Sequence, residues 1–253
     1  MTAFSANLGF LWTELDLPAA IRAAKRAGFA AVECHWPYQT PSEDVRAALR
    51  ETGLPLVSLN TSRGALGQNG LAALPGETSR ARAAIDEALA YADAVGAEAV
   101  HVMAGIAEGL DARAAFLANL AYAANRTTRT ILIEPLNRLD APGYFLTTTD
   151  QARRIAEDVG APNLKIMFDC YHTQLMQGSL TRWIEYLLPL IGHIQIAGVP
   201  SRAEPDEGEV AYDRLMLAIA AMGYHGYIGA EYRPRGTVEE GLGWLEDFRA
   251  KMR

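Results

Sequence analysis

Four residues with oxygen-bearing side chains stand near the ends of four successive apolar stretches: Glu134 in ILIEPLN, Asp169 in LKIMFDCYH, Gln195 in HIQIAG and Glu231 in YIGAEY. Each follows a strand-like run and precedes a helix-like one, so a parallel barrel would bring all four to one rim. Three carboxylates gathered there without a counter-ion would repel one another and become partly protonated, whereas a divalent cation lowers the energy of their ionised forms. An all-oxygen donor set favours a hard ion, Mg2+ or Mn2+, over zinc. Any one of these acids alone could be a surface or helix-capping residue. Four at equivalent strand-end positions describe a metal cup.

The elements that must hold this cup read as a repeated alternation. FSANLGF (4–10) is the first strand, and Asp16 opens a helix with Pro18 in its first turn that ends at Gly28. AAVEC (30–34) is the second strand, Ser42 caps a helix through Arg50 with Gly53 near its stop, and LPLVSLN (54–60) is the third strand. The Gly-rich segment 61–77 is too long for a simple turn and is a candidate active-site loop. A helix from Thr78 to Val95 stops at Gly96, AEAVHVMAG (97–105) is the fourth strand, and residues 111–128 are helical. TILIEP, NLKIMFD, GHIQIA and GYIGAE supply strands five to eight, between helices at TDQARRIAEDVG, near 180–189 and near 209–222, and a last helix begins at about 237.

Strand followed by helix, eight times, without a linker or low-complexity tract, predicts an α/β chain folded as one (β/α)8 barrel, a TIM barrel, over residues 1–253. A doubly wound open sheet is the alternative, but its strand ends form no ring, no GxGxxG follows the first strand, and no GxxxxGK[ST] occurs. The length of 253 residues is the usual size of such a barrel, and 50% hydrophobic with 21% charged residues is enough apolar material for one core. A net charge of -7 gives no general attraction to nucleic acid or an anionic membrane. No stretch is apolar enough to span a bilayer, and MTAFSANLGFLW lacks a basic segment leading into a cleavable apolar core. Two distant cysteines, Cys34 and Cys170, form neither a disulfide framework nor a zinc knuckle, which fits a reducing cytoplasm. Asn125-Arg126-Thr127 matches a glycosylation sequon but lies in a helical pattern and is read as chance.

IEPLN (133–137), LKIMFDCYHTQLMQG (164–178), GHIQIAGVPSRAEPDEGEVAYD (192–213) and GAEYRPRGTVEEGLGWL (229–245) together resemble the hydroxypyruvate isomerase family, within the wider superfamily of xylose-isomerase-like barrels. SANLGFLW and the LPG at 74–76 fit the same family, so the resemblance spans nearly the whole chain. It implies a metal-dependent or metal-assisted isomerase whose ligands fall on Glu134, Asp169, Gln195 and Glu231, with Glu134 and Glu231 as the proton-transfer pair. The implied substrate is a small hydroxy-oxo acid: hydroxypyruvate becomes tartronate semialdehyde when a proton leaves C3 and another reaches C2 through an enediolate. One glutamate must accept while the other donates, on opposite faces of a nearly planar intermediate. An isomerase of 2-oxo-tetronate would need the same chemistry and a deeper pocket. A ketose 3-epimerase usually has histidine where Gln195 stands, an inosose dehydratase is a lyase relative, and a DNA-repair endonuclease on this barrel would need more than five histidines and a basic groove.

Other residues have candidate roles. His172, in a DxxH pattern after the sixth strand, is placed by the resemblance against a substrate oxygen; alternatively it is a loop histidine that packs on its neighbours. Arg202, in VPSRAEP, could form the bidentate pair that a substrate carboxylate needs, or be a solvated loop arginine. Asn60 ends the third strand and could touch substrate or form a turn. Glu33 and Asn7 face the rim or support residues that do. His193 shares an inward face with Gln195 one layer deeper, and Lys165 sits too low for catalysis. Cys170 should face the helix layer, away from the metal. Trp12, Trp36 and Tyr38 could wall the pocket, or serve contacts between copies in a homo-oligomer.

Overall fold

The computed structural model describes residues 3–251. In its first half β1 (Ala3–Asn7), α1 (Leu17–Arg26), β2 (Ala31–Glu33), α2 (Ser42–Thr52), β3 (Ser58–Asn60), α3 (Thr78–Val95), β4 (Ala99–His101) and α4 (Gly109–Arg126) alternate. The second half continues with β5 (Thr130–Ile133), α5 (Thr149–Val159), β6 (Leu164–Asp169), α6 (Cys170–Met176), α7 (Leu180–Leu187), β7 (Ile191–Ile196), α8 (Tyr212–Ala221), β8 (Tyr227–Ala230) and α9 (Gly243–Lys251). The strands are parallel and ordered β2-β1-β8-β7-β6-β5-β4-β3. Between the two ends of that order, Val32 N–H donates to Pro55, Val57 N–H to Val32 and Cys34 N–H to Ser58, at 2.8–3.0 Å. These bonds draw the sheet round into the expected (β/α)8 barrel.

The helices start and stop where local chemistry requires. Asp16 caps α1 by accepting from the Ala19 amide, and Thr148 caps α5 by accepting from Gln151. α2, α3 and α5 each end on a glycine with φ between 66° and 77°, the left-handed conformation that only glycine adopts cheaply. Ser42 departs from expectation. Pro41 occupies the cap position of α2 and no side chain bonds there, while Glu43 and Asp44 in the first turn favour the helix dipole. The strands are also shorter than the apolar runs that announce them, three residues each in β2, β3 and β4, because the runs extend into packed segments that precede or follow the ladder. The last helix begins at Gly243, after a short 3-10 turn at Glu239–Gly241, and not at 237.

Period-two alternation sorts the side chains into two cores. Outward-facing residues join the helices in one large apolar cluster, which includes Cys170 and the aromatic group of Phe4, Phe29, Tyr232, Trp244 and Phe248. Inside the barrel, Ala99, Leu132 and Met167 from adjacent strands β4, β5 and β6 form a separate apolar floor. Each lies two residues before His101, Glu134 and Asp169, so the floor supports the polar layer above it. Among the described residues no helix is long and apolar enough to cross a membrane.

Candidate active site

The β6–β7 register pairs Asp169 with Gln195, the β7–β8 register pairs Gln195 with Gly229, and the Glu231 amide donates to Ile196 at 3.1 Å. Asp169, Gln195 and Glu231 are thus neighbours by sheet geometry alone. Glu134 follows β5 directly. All four residues are buried, at 6% exposure for Glu134 and Glu231 and 1% for Asp169 and Gln195. Glu134 and Glu231 reach the wall of a cavity of about 160 Å3, together with Asn60, His172 and Arg202. Its volume is below the roughly 300–1,000 Å3 of pockets that take drug-sized ligands.

Helix α6 is not legible in the sequence, where His172 reads as a loop residue. Asp169 caps this short helix, its Oδ1 accepting from the amides of Tyr171 at 2.7 Å and His172 at 3.4 Å. The other oxygen, Oδ2, is buried without a hydrogen-bond partner among the described residues, as are Glu134 Oε1 and Gln195 Oε1. Gln195 is oriented by its amide nitrogen, which donates to Glu33 Oε2 at 2.8 Å and leaves the oxygen free. Glu33 in turn lies 3.2 Å from His193 Nε2 and accepts from Ser5 Oγ at 3.0 Å. Burial tends to raise the Glu33 carboxyl, but His193 and these hydrogen bonds hold it below its usual range. Glu33 and His193 therefore support the site without lining it, and Lys165 reaches Pro189 O at the other end of the barrel.

The acids at the rim are in the opposite state. Burial, then Glu231 and Asp169, push the Glu134 carboxyl well above the carboxylate range, and burial followed by Glu231 pushes Asp169 up to about 7. Both are opposed by Arg202, whose guanidinium lies 3.3 Å from Glu231, 3.9 Å from Asp169 and 3.6 Å from Asp140. The fork that the sequence offers to a substrate carboxylate thus already faces three protein carboxylates. Its Cζ lies 4.7 Å from the Phe10 ring centroid and 5.0 Å from that of Tyr171.

Glu134, Asp169 and His172 each present a donor atom within 4.8 Å of the others, a group able to hold a metal ion. The hydrogen bonding of His172 qualifies its part. The Asn137 amide donates to Nδ1 at 3.1 Å, so a neutral ring carries its proton on Nε2, the nitrogen 3.6 Å from Asp169 and 4.0 Å from Glu134. Burial, then Arg202, holds His172 well below its usual pKa, which keeps the ring neutral. Nε2 in that tautomer donates and does not ligate.

Two histidines absent from the sequence reading belong to this site. His35 Nε2 lies 3.3 Å from Glu231, and His101 Nδ1 lies 3.7 Å from Glu134. Both line the cavity. A signal for them existed: His35 follows inward-facing Glu33 by two residues, and His101 closes β4 on the same face as Ala99. Of the aromatic wall, Trp36 lines the cavity; Trp12 is buried with its indole on Glu239, and Tyr38 donates to the Asn60 carbonyl.

Residues 21–248 match the family model described as the xylose isomerase-like TIM barrel. This chain belongs to that family. It is 44% identical to a 2-oxo-tetronate isomerase of Cupriavidus necator, over 98% of this chain and 99% of that protein. Identity is 38% to a hydroxypyruvate isomerase of Escherichia coli, over 98% of this chain and all of the relative at 100%. The crystal structure of a protein named AP endonuclease, family 2, from Brucella melitensis superposes with TM-score 0.94 at 39% identity, covering 98% of this chain and 99% of that one.

Gly229 is the point at which the supporting network is most exposed to test. A Cβ there would lie 2.2 Å from Glu33 Oε1 and 2.8 Å from both Gln195 Cγ and His193 Nε2. Gly229→Ala is expected to destabilise the fold by about 1–3 kcal/mol, as overpacking of a filled core does. A denaturant midpoint equal to that of the unaltered protein would show that Glu33 and Gln195 are not held as described.

Proposed function

We propose that this chain is an isomerase of small hydroxy-oxo acids that interconverts hydroxypyruvate and tartronate semialdehyde (2-hydroxy-3-oxopropanoate), assisted by Mg2+ or Mn2+. The observation that carries the reading is that Glu134 and Glu231 reach one small cavity from strands separated by β6 and β7. Two carboxyl groups so placed can address a bound three-carbon acid from two sides, one taking the proton from C3 while the other delivers one to C2.

The residues fit a hard cation. Glu134, Asp169 and Gln195 each carry a buried oxygen that nothing among the described residues satisfies, and Glu231 completes the set. Glu134, Asp169, Gln195 and Glu231 would hold such an ion, which would supply electrostatic stabilisation of the negative charge that develops on the substrate oxygens. The chain's own groups do the rest. Neutral His172 donates from Nε2 to a substrate oxygen, and Arg202 balances the carboxylates and the charge that develops on the reacting carbons. Asn60 offers its amide from the end of β3, and Trp36 limits the length of the acid.

A second reading comes from the relatives: identity is 44% to a protein named 2-oxo-tetronate isomerase, beside 43% to a putative hydroxypyruvate isomerase of Homo sapiens and 38% to the Escherichia coli hydroxypyruvate isomerase. The reaction would be the same with one further hydroxylated carbon, and a coupled assay that compares the two acids separates the readings. Nucleic acid is not a substrate in either reading, although the Brucella protein is named an endonuclease, since the net charge is -7 and the reactive rim is a narrow acidic cup. Two free, buried cysteines accord with a reducing compartment, and we place the enzyme in the cytoplasm.

Two outcomes test the reading. Glu134→Gln and Glu231→Gln should each lower turnover by about two orders of magnitude or more, measured by product NMR in deuterated water; isomerase activity retained in both would remove the proton-transfer assignment. The second concerns metal and pH. The Asp169 carboxyl titrates near 7 in the metal-free fold against 3.8 when unperturbed, so the folded state holds the extra proton between those values. Metal-free protein should therefore melt at higher temperature as pH falls from about 8 to 6. Saturating Mn2+ should raise the melting temperature at pH 8 and abolish that trend, because binding requires the ionised acids. A melting temperature that ignores Mn2+ at every pH would argue against the cup.

A further inference from the structure

The cavity contains two arginines in opposite electrostatic states. Arg202 faces Asp140, Asp169 and Glu231, whereas Arg63, in the Gly-rich segment 61–77, has no carboxylate within ion-pair distance among the described residues. Its guanidinium stacks at 4.6 Å on the Trp36 ring, and its Nη2 donates to Asn69 Oδ1 at 2.7 Å. The loop that carries it is docked on the segment that follows β4. Gly70 N–H closes onto the Arg63 carbonyl at 2.8 Å, Gly70 bridges to Ala104, and a Cβ at Gly70 would lie 2.5 Å from Met103 O. Trp36 is fixed in turn by its indole N–H on Met103 Sδ at 3.4 Å.

On the same side of the cavity His101 is buried at 1% exposure, and neither ring nitrogen has a hydrogen-bond partner among the described residues. A buried imidazole left wholly unsatisfied is costly unless a ligand completes it.

We propose that the β2–β4 side of the cavity is a carboxylate subsite, in which Arg63 is the cation, Asn69 and Trp36 hold its guanidinium flat, and His101 donates a further hydrogen bond. This rests on the oxo-acid reading above and gives the substrate a direction. The carboxylate lies toward segment 61–77, with C2 and C3 over Glu134 and Glu231. The fourth carbon of a longer acid, attached to C3, then points away from Arg63.

The test uses the full chain loaded with Mn2+, with hydroxypyruvate as substrate and dihydroxyacetone, which has the same reacting carbons but no carboxylate, as a competitive inhibitor. Arg63→Gln should raise KM for hydroxypyruvate about tenfold or more with kcat changed less than about threefold, while inhibition by dihydroxyacetone stays the same. Arg63→Lys should recover part of the loss, because the charge returns without the fork. An unchanged KM in Arg63→Gln overturns the subsite. Equal weakening of acid and dihydroxyacetone also overturns it, because the side chain would then be packing the loop and not reading charge. Failure of the underlying reading looks different: the unaltered enzyme would convert ketoses but no oxo acid, and the subsite would fall with it.

Discussion

Three buried carboxylates and one guanidinium that is only 11% exposed crowd together, and the rest of the molecule is arranged to make that tolerable. Burial penalises the ionised form of the Glu134 and Asp169 carboxyls, and Glu231 beside them raises both further. Arg202 offsets part of this cost and must itself be kept from solvent. Phe10 and Tyr171 lie against it, and its backbone is fixed by Arg202 N–H on Gly198 in the loop after β7 and by Arg233 N–H, after β8, on the Arg202 carbonyl, each at 2.7 Å. That loop folds so tightly that a Cβ at Gly208, where φ is +108°, would meet Val199 O at 2.2 Å.

A second buried acid, Glu33, is treated in the opposite way. It is as deeply enclosed as Asp169, yet His193, Gln195 and Ser5 satisfy it and its carboxyl stays ionised. The difference in partners assigns the roles. A satisfied carboxylate is a fixed point that can orient another group, here the amide of Gln195, while a carboxylate with an orphaned oxygen is available to a ligand. The strand pairing makes this division possible, since β2, β7 and β8 bring Glu33, His193, Gln195 and the bare backbone of Gly229 together inside the barrel.

Much of this could be read before any coordinates. Period-two alternation and repeated strand-helix order carry the barrel and the convergence of Glu134, Asp169, Gln195 and Glu231, because in a closed parallel sheet strand ends must share a rim. Helix α6 is hidden in the sequence because seven residues leave no room for an apolar stripe, and only the Asp169 cap marks it. His35 and His101 are hidden for another reason: alternation points them inward, but only through-space distances to Glu231 and Glu134 give them partners. The state of Arg202 was beyond reach, because a sequence shows a cation near the rim but not how many acids already surround it. The shortness of β2, β3 and β4 was similarly hidden, since an apolar run continues as well into a packed loop as along a strand.

The charge balance of the cup explains why one arginine cannot serve both the reaction and recognition of the acid. With a divalent ion bound, the ion and Arg202 together would balance Glu134, Asp169 and Glu231 when ionised, and Asp140 adds a fourth acid beside Arg202, leaving no surplus positive charge for an incoming anion. A neutral ketose could enter such a site unaided. An oxo acid brings a further negative charge into low dielectric, where an unpaired carboxylate is costly, so a cation outside the cup is needed. Arg63 is placed for this task by position as well as by charge: it approaches from the β2–β4 side, while the acids gather on the β5–β8 side. The two halves of the barrel mouth can then be tuned separately, one for the chemistry that moves a proton and the other for the kind of molecule on which it is moved.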